Sequence, residues 1–228
     1  LKNIVVFTGA GISAESGLKT FRDSNGIWEN YNVMDVATPE AWEKDHHLVL
    51  EFYNKRRDQI LKTHPNEAHK ALVELEKGFC VKIITQNIDN LHERAGSSDV
   101  LHLHGLITQA RSTDGSSKLY DIDGSFLNSG EFCKNGHQLR PNVVWFGEAV
   151  PNLTVAEEIT AKADVLIIIG SSLNVYPAAN LIYRTQPHTE TYLIDPKKVD
   201  VNLERLHVIN EKASIGVTKL VKQLLEKK

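Results

Sequence analysis

Apolar residues follow two rhythms along this chain. Unbroken runs at residues 4–7, 79–85, 164–170 and 191–196 mark strands buried on both faces. Residues 100–104 alternate apolar and polar, and 142–146 form another strand-like run. Between these runs the spacing changes to three and four. Val49, Tyr53, Arg56 and Ile60 share one face of a helix over 47–62, and Ala68, Leu72 and Leu75 share one face of a second over 66–77. Thr38-Pro39-Glu40 has the makings of a helix start, with a capping residue followed by Pro at the first helical position. A last helix is predicted over 217–225. Strands alternating with helices predict an α/β fold, a mostly parallel sheet with helices on both faces. Residues 106–139 follow neither rhythm. Their turn clusters at 112–117 and 128–130 predict a small irregular insertion.

The first strand runs into Gly9-Ala10-Gly11-Ile12-Ser13-Ala14, the G-x-G-x-x-[GA] pattern of a strand turning into a helix beneath a dinucleotide pyrophosphate. Glycines are expected there so that the backbone can approach the phosphates without a Cβ in the way. Taken alone the pattern also describes an ordinary tight turn. Gly17 then interrupts the helix, and residues 19–26 are rich in polar and turn-forming residues, so the cradle opens into a long loop of the kind that covers ligands. The acid at the dehydrogenase distance, Glu29, has no strand around it, which argues against hydride transfer.

Composition narrows the setting more than the chemistry. The 228 residues suit one large domain with a small subdomain. A net charge of −3 gives no general attraction to nucleic acid or anionic membrane. No apolar run reaches the length of a membrane span, and the four-residue apolar start is not expected to be a signal peptide. Two cysteines, Cys80 and Cys133, form no disulfide framework, so a cytoplasmic protein is expected.

Several separated motifs together carry a resemblance. GAGISAESG with FRD, TQNIDNLHERAG (85–96), HLHG (102–105), VVWFGE (143–148) and GSSLNVYPAA (170–179) resemble the sirtuin family of NAD-dependent protein lysine deacylases, the bacterial type above all. The resemblance spans nearly the whole chain. It implies a Rossmann-like large part (1–28, 69–105, 141–228) and a small part formed by two insertions (29–68 and 106–140). It implies NAD as co-substrate and acylated lysines of other proteins as partners, with a monomer expected. The acyl group would pass to ADP-ribose and nicotinamide would leave. His104 would be the base that takes a proton from the ribose, a task suited to imidazole. Asn87 and Asp89, with Gln86 and Ile88 beside them, would line the nicotinamide and ribose pocket. These residue types equally suit a loop and helix cap. Thr20, Phe21, Arg22, Asp23 and Trp28 would fold over the cofactor, with Arg22 helping to orient it. Gly9, Ala10, Gly11, Ser13, Ala14 and Glu15 would hold the pyrophosphate side. Gly170, Ser171, Ser172, Asn174, Leu193, Ile194, Asp195 and Ala213 would take the adenosine half. Val144, Trp145, Phe146, Gly147 and Glu148 would meet the substrate peptide, pairing with it as an added strand. Two other readings share this fold, a mono-ADP-ribosyltransferase and a non-catalytic sensor of NAD or ADP-ribose. Retained His104, Asn87 and Asp89 speak against the sensor.

Tyr53 and Arg56 bear on the substrate. Three residues apart on a helix, their side chains are neighbours. Lys55 and Arg57 are expected to form a solvated basic face, whereas Arg56 falls on the apolar stripe. A buried charge calls for a partner, and a bound carboxylate would supply one through a charge-assisted pair, with the Tyr53 hydroxyl as a second donor. Tyr-x-x-Arg resembles sirtuins that remove succinyl and malonyl groups, and Ala37 matches the small residue that widens their acyl pocket. That role of Tyr53 and Arg56 speaks against the transferase.

The chain departs from most of the family at the zinc site. It has Cys133 in the insertion and Ser112 about where a first cysteine would stand, whereas a closed structural zinc site needs four ligands. No zinc is expected. Packing by Leu119, Tyr120, Ile122, Phe126, Leu127, Phe132 and Leu139 would hold the insertion instead. The purified protein is therefore expected to carry no stoichiometric zinc, and a chelator should leave its melting temperature unchanged. One zinc per chain by elemental analysis would refute this.

Overall fold

The computed structural model describes residues 1–19, 31–203 and 205–228, together with the backbone of 27–28. Its strands are β1 (Asn3–Thr8), β2 (Ile27–Trp28), β3 (Tyr31–Asn32), β4 (Cys80–Thr85), β5 (Val100–His102), β6 (Gly105–Ser112), β7 (Leu119–Asp121), β8 (Leu139–Val143), β9 (Val165–Ile169), β10 (Glu190–Ile194) and β11 (Leu206–Ile209). Its α-helices are α1 (Gly11–Ala14), α2 (Pro39–Lys62), α3 (Glu67–Glu76), α4 (Leu91–Ala95), α5 (Leu153–Thr160) and α6 (Ala213–Glu226). No helix among the described residues is long and apolar enough to cross a membrane.

Six strands form one parallel sheet in the order β11-β10-β9-β1-β4-β5. This is the Rossmann-like architecture expected. Alternation along β1 decides the layers. Ile4 and Val6 face a core completed by Leu72 and Leu75 of α3 and Val217 and Leu220 of α6. Val5 and Phe7 face the other core, with Ala156 of α5 and Leu181 and Ile182 from the short 3-10 helix Ala178–Arg184. The chain leaves β1 towards β4 on one side and returns through β9 on the other. The crevice at the C-terminal end of β1 is therefore the switch point at which open α/β sheets bind ligands.

The predicted helix starts are built as caps. Thr38 accepts from the Ala41 amide at 3.0 Å, and Asn66 caps α3 with His69 reaching back to the Asn66 amide at 3.3 Å. The helix expected from residue 47 begins earlier. α2 starts at Pro39, leaves helical geometry at Asp45 (φ −157°, ψ 82°) and restarts where Asp45 accepts from the Leu48 amide at 3.0 Å. The closing helix also begins earlier, at Ala213.

Five expectations are corrected. Residues 106–139 are not irregular: β6 pairs antiparallel with both β7 and β8 in a three-stranded sheet. A register shift between Gly105 and Ala110 scrambles the alternation of β6, and Pro141 lies in β8, an edge strand where Pro is tolerated. The run at 142–146 is strand only to Val143. Cys80, placed in a buried strand, is exposed at its first position. Among the side chains expected to pack the insertion, Leu127 and Leu139 are buried with Leu50, Ala110 and Cys133. Tyr120 and Ile122 pack against that cluster, while Leu119, Phe126 and Phe132 are exposed.

The largest correction is Arg57. Expected in solvent, it is fully buried. Its Nε donates to Ile107 O at 2.7 Å, and one terminal nitrogen reaches both Asn54 Oδ1 at 2.7 Å and Ser125 O at 2.9 Å. Asn54 in turn exchanges two hydrogen bonds with the backbone of Leu127, at 3.0 and 2.9 Å. One turn of α2 thus ties down three points of the insertion. Burial lowers the Arg57 pKa to about 10, which still leaves it charged at neutral pH. Nearby, the Ser112 hydroxyl donates to Cys133 Sγ at 3.3 Å and accepts from the Asp114 amide at 3.2 Å. Among the described residues no group of three or more His, Cys, Asp or Glu is placed to hold a metal ion. Arg57→Met would leave several buried acceptors without a donor. The expected loss is about 3 kcal/mol, or roughly 6–12 °C in melting temperature. A change under ~2 °C would mean that Arg57 is not the tie described.

Candidate active site

Two glycine turns meet at the end of β1. The Gly9 amide donates to Ile169 O at 3.0 Å and the Gly11 amide to Gly170 O at 2.9 Å. A Cβ on Gly11 would stand 2.6 Å from Gly170 Cα, and one on Gly170, whose φ is +59°, would stand 2.4 Å from Ile12 N. This refines the sequence reading. These glycines first admit another backbone, and the amide in the turn with no acceptor among the described residues is that of Ala10. α1 is one turn long and ends towards Gly17, at φ +96°. Glu15 turns aside from the turn. Its carboxylate accepts from the amide and hydroxyl of Ser214, both at 2.8 Å, at the start of α6 next to Ala213.

The end of β4 supplies the polar centre. Asn87 Nδ2 donates to Gly9 O at 3.1 Å and to Ser13 Oγ at 3.3 Å, and Ser13 donates to Asp89 Oδ2 at 3.0 Å. The other Asp89 oxygen accepts from the Leu91 amide at 3.1 Å, so the cap reading of this motif is also correct. Burial raises the Asp89 pKa against these donors. The Ile88 carbonyl accepts from the Ile107 amide at 2.9 Å. Gln86 Oε1 accepts from Ser171 at 3.1 Å, while its Nε2 is buried with no acceptor among the described residues. Behind this row Thr8, Thr85 and His92 form a buried chain, at 2.8 Å between the hydroxyls and 3.0 Å from Thr8 to His92. Nothing in the residue order singles them out, since Thr8 and Thr85 are small polar residues at the edges of apolar runs.

Two histidines hold successive carbonyls of the same turn. His104 Nδ1 lies 2.9 Å from Gln86 O and His102 Nδ1 lies 3.0 Å from Asn87 O. A carbonyl only accepts, so each Nδ1 carries a proton. For His104 burial lowers the pKa despite the Gln86 carbonyl, leaving a neutral ring with its Nε2 lone pair available. For His102, Nε2 meets Glu93 at 2.6 Å; burial opposes its charge, but Glu93 outweighs burial and the pKa rises. With the Asn87 carbonyl on one nitrogen and the Glu93 carboxylate on the other, His102 is a structural residue that favours the charged form.

The third component comes from α2 and the segment after β8. Tyr53 and Arg56 are both buried, as is Ala37. Arg56 donates to Gln59 Oε1 at 3.0 Å and to Lys19 O at 3.4 Å, and its charge is felt at Asp89. Tyr53 accepts from the Trp145 indole at 3.1 Å. The stretch expected to receive a peptide strand is largely engaged within the fold. The amides of Val144, Trp145 and Phe146 donate to His104 O at 2.9 Å, Glu148 Oε2 at 2.8 Å and Ala37 O at 3.0 Å, which leaves the Gly147 amide without an acceptor among the described residues. Glu148 is gripped by Arg140 at 2.7 and 3.0 Å. Burial works against its charge, yet Arg140 holds its pKa below the ordinary carboxylate value. Arg140 was missed because Leu139-Arg140-Pro141 fits no apolar period.

Ser171, Leu193, Ile194, Asp195 and Ala213 are buried at the ends of β9 and β10 and the start of α6; Ser172 is half-buried and Asn174 exposed. Thr20, Phe21, Arg22 and Asp23 lie outside the described residues, as does the Trp28 side chain. The donor set fits a dinucleotide: among the described residues, Gln86 Nε2, buried beside His104, and the Ala10 amide at the glycine turn have no acceptor.

Comparison with known proteins agrees with this geometry. The family model described as "Sir2 family" matches residues 9–177. An NAD-dependent protein deacylase of Bacteroides thetaiotaomicron is 51% identical over 231 residues, covering 99% of this chain and 98% of its own. One from Helicobacter pylori is 50% identical over 227 residues, covering 99% of each. Among solved structures, a Sir2 homologue in complex with NAD superposes with a TM-score of 0.90 at 36% identity, covering 99% of this chain and 90% of that one. A Sir2 protein bound to acetylated peptide superposes at 0.79 with 28% identity, covering 98% and 92%. Matched over most of its length by both the family model and these relatives, the chain belongs to the Sir2, or sirtuin, family.

Proposed function

We propose that this protein is an NAD-dependent protein lysine deacylase whose pocket admits acidic acyl groups, succinyl and malonyl, as well as acetyl. The observation that carries the reading is His104 beside the buried Gln86 amide, held through Nδ1 with Nε2 free to take a proton. The deacylases of Bacteroides thetaiotaomicron and Helicobacter pylori and the Sir2 structures with NAD and with acetylated peptide support it.

NAD, when bound, supplies a ribose carbon activated by its nicotinamide leaving group, to which an acyl oxygen can bond. The chain's own residues position and move protons. Gly9 to Ala14, Gly170 to Ser172, Asn174, Leu193 to Asp195 and Ala213 would hold the nucleotide from its pyrophosphate to its adenosine end. Gln86, Asn87 and Asp89 would face the nicotinamide and its ribose. His104 Nε2 would take the ribose hydroxyl proton, the Gln86 carbonyl stabilising the imidazolium that forms. Peptide backbone would align along Val144 to Gly147, with the Gly147 amide as a donor. The acyl chain would run towards Ala37, Tyr53 and Arg56, where a terminal carboxylate meets a guanidinium and a phenol.

Succinyl-, malonyl- and acetyl-lysine peptides incubated with the protein should lose their acyl masses only when NAD is present. A peptide gaining one ADP-ribose would instead indicate transferase chemistry. Arg56→Met should cut kcat/KM for succinyl-lysine roughly 10- to 100-fold relative to acetyl-lysine. Equal losses on both substrates would refute the acyl assignment.

The pH profile tests the base. Because burial depresses the His104 pKa, the ring stays neutral as pH falls below the ordinary histidine value of ~6.5. Activity should therefore decline only at lower pH, with the acid limb of kcat/KM below that value. A midpoint above it would contradict a depressed, base-competent His104.

A further inference from the structure

The Tyr53 phenol is wholly buried, and its hydrogen bond to Trp145 fixes its polarity. An indole N–H can only donate, so Tyr53 Oη is the acceptor in that 3.1 Å contact. The phenol's own proton must point elsewhere, and no described residue accepts it. Burial, more than any neighbouring charge, keeps the group protonated by pushing its pKa above the ordinary tyrosine value. Buried hydroxyl protons are seldom left without an acceptor.

Trp145 is not free to release Tyr53. The Arg140 guanidinium lies 3.3 Å from the centre of its ring, and Trp42 packs 5.7 Å from it. Arg140 grips both oxygens of Glu148, at 2.7 and 3.0 Å, and the Val143 carbonyl at 2.9 Å. Glu148 also accepts from the backbone amide of Trp145 itself, at 2.8 Å. Arg111 adds a second guanidinium at 3.3 Å, so two cations stand against one carboxylate behind the indole.

From this geometry we infer that Trp145, clamped by Arg140 and Glu148, is a positioning residue for acyl specificity. It takes up the lone pair of Tyr53 and so commits the phenol to donate, which selects acyl chains ending in an acceptor-only group such as a carboxylate. The inference rests on the reading of Tyr53 and Arg56 as the acyl pocket. It adds that the pocket's polarity is set from outside it, by a residue whose side chain need not touch the acyl group. A phenol released from the indole could turn its lone pairs towards the ligand, and the preference for an anionic terminus would weaken.

Trp145→Phe removes the N–H while keeping a ring under Arg140. The ratio of kcat/KM for succinyl-lysine to that for acetyl-lysine should fall about tenfold, carried by KM rather than kcat. Arg140→Lys keeps the charge but loses the planar stack and the two-pronged grip; it should move the ratio the same way by about threefold, and it serves as the test if the first variant does not fold. Tyr53→Phe, measured alongside, separates the two claims. If Tyr53→Phe leaves the ratio unchanged, the acyl-pocket reading itself fails. If Tyr53→Phe lowers the ratio but folded Trp145→Phe or Arg140→Lys lowers both activities by one common factor, or neither, the role of Trp145 is overturned and the pocket reading stands.

Discussion

Backbone meets backbone where the turn after β1 touches the turn after β9. Gly9 and Gly11 donate to Ile169 and Gly170, and Cβ atoms at these points would fall 2.4–2.8 Å from main-chain atoms of the opposite turn. That contact holds the ends of two neighbouring strands in register. It also fixes the Gly9 carbonyl, to which Asn87 is tied, and through Ser13 it fixes Asp89. The polar centre is thus a consequence of a steric condition on three glycines. Side chains from β4 find their places because the turn they bind cannot move.

A second tie connects this rigid half to the antiparallel sheet. Arg57 and Asn54 lie on the same helix as Tyr53 and Arg56, so one stretch of α2 both anchors the insertion and lines the proposed acyl pocket. Two of the three guanidinium nitrogens, Nε and one terminal nitrogen, meet carbonyl and amide oxygens at short range, which offsets part of the cost of burying the charge. The Arg57 arrangement links the insertion to the helix that also carries Tyr53.

Much of this was legible in residue order, for a physical reason. Doubly buried parallel strands read as unbroken apolar runs, so β1, β4, β9 and β10 were evident, and their C-terminal polar residues pointed to the crevice. The separated motifs around His104, Asn87 and Gly170 gave the family. What escaped were features that depend on partners far away in sequence. Arg57 reads as a surface cation beside Lys55, and nothing local says that Ile107 and Ser125 will surround it. β6 and β8 carry Gln109, Arg111, Arg140 and Pro141, and a register shift hides their alternation, so a three-stranded sheet read as turns. Glu15 read as part of the glycine motif, yet its partner Ser214 is 199 residues away.

The groups proposed to meet ligands, and the histidine beside them, share one device. Each has a neighbour of fixed hydrogen-bonding sense, and that neighbour decides what the group offers. The Gln86 carbonyl forces a proton onto His104 Nδ1 and leaves Nε2 as an acceptor. The Asn87 carbonyl and the Glu93 carboxylate force protons onto both nitrogens of His102, which makes the adjacent histidine a cation unsuited to act as a base. The Trp145 indole occupies the lone pair of Tyr53 and leaves a donor. The pKa values of two histidines two residues apart thus shift in opposite directions, because His102 has a second acceptor and His104 has none among the described residues. Residue type alone would make both candidates for the base, and their hydrogen-bond partners separate them.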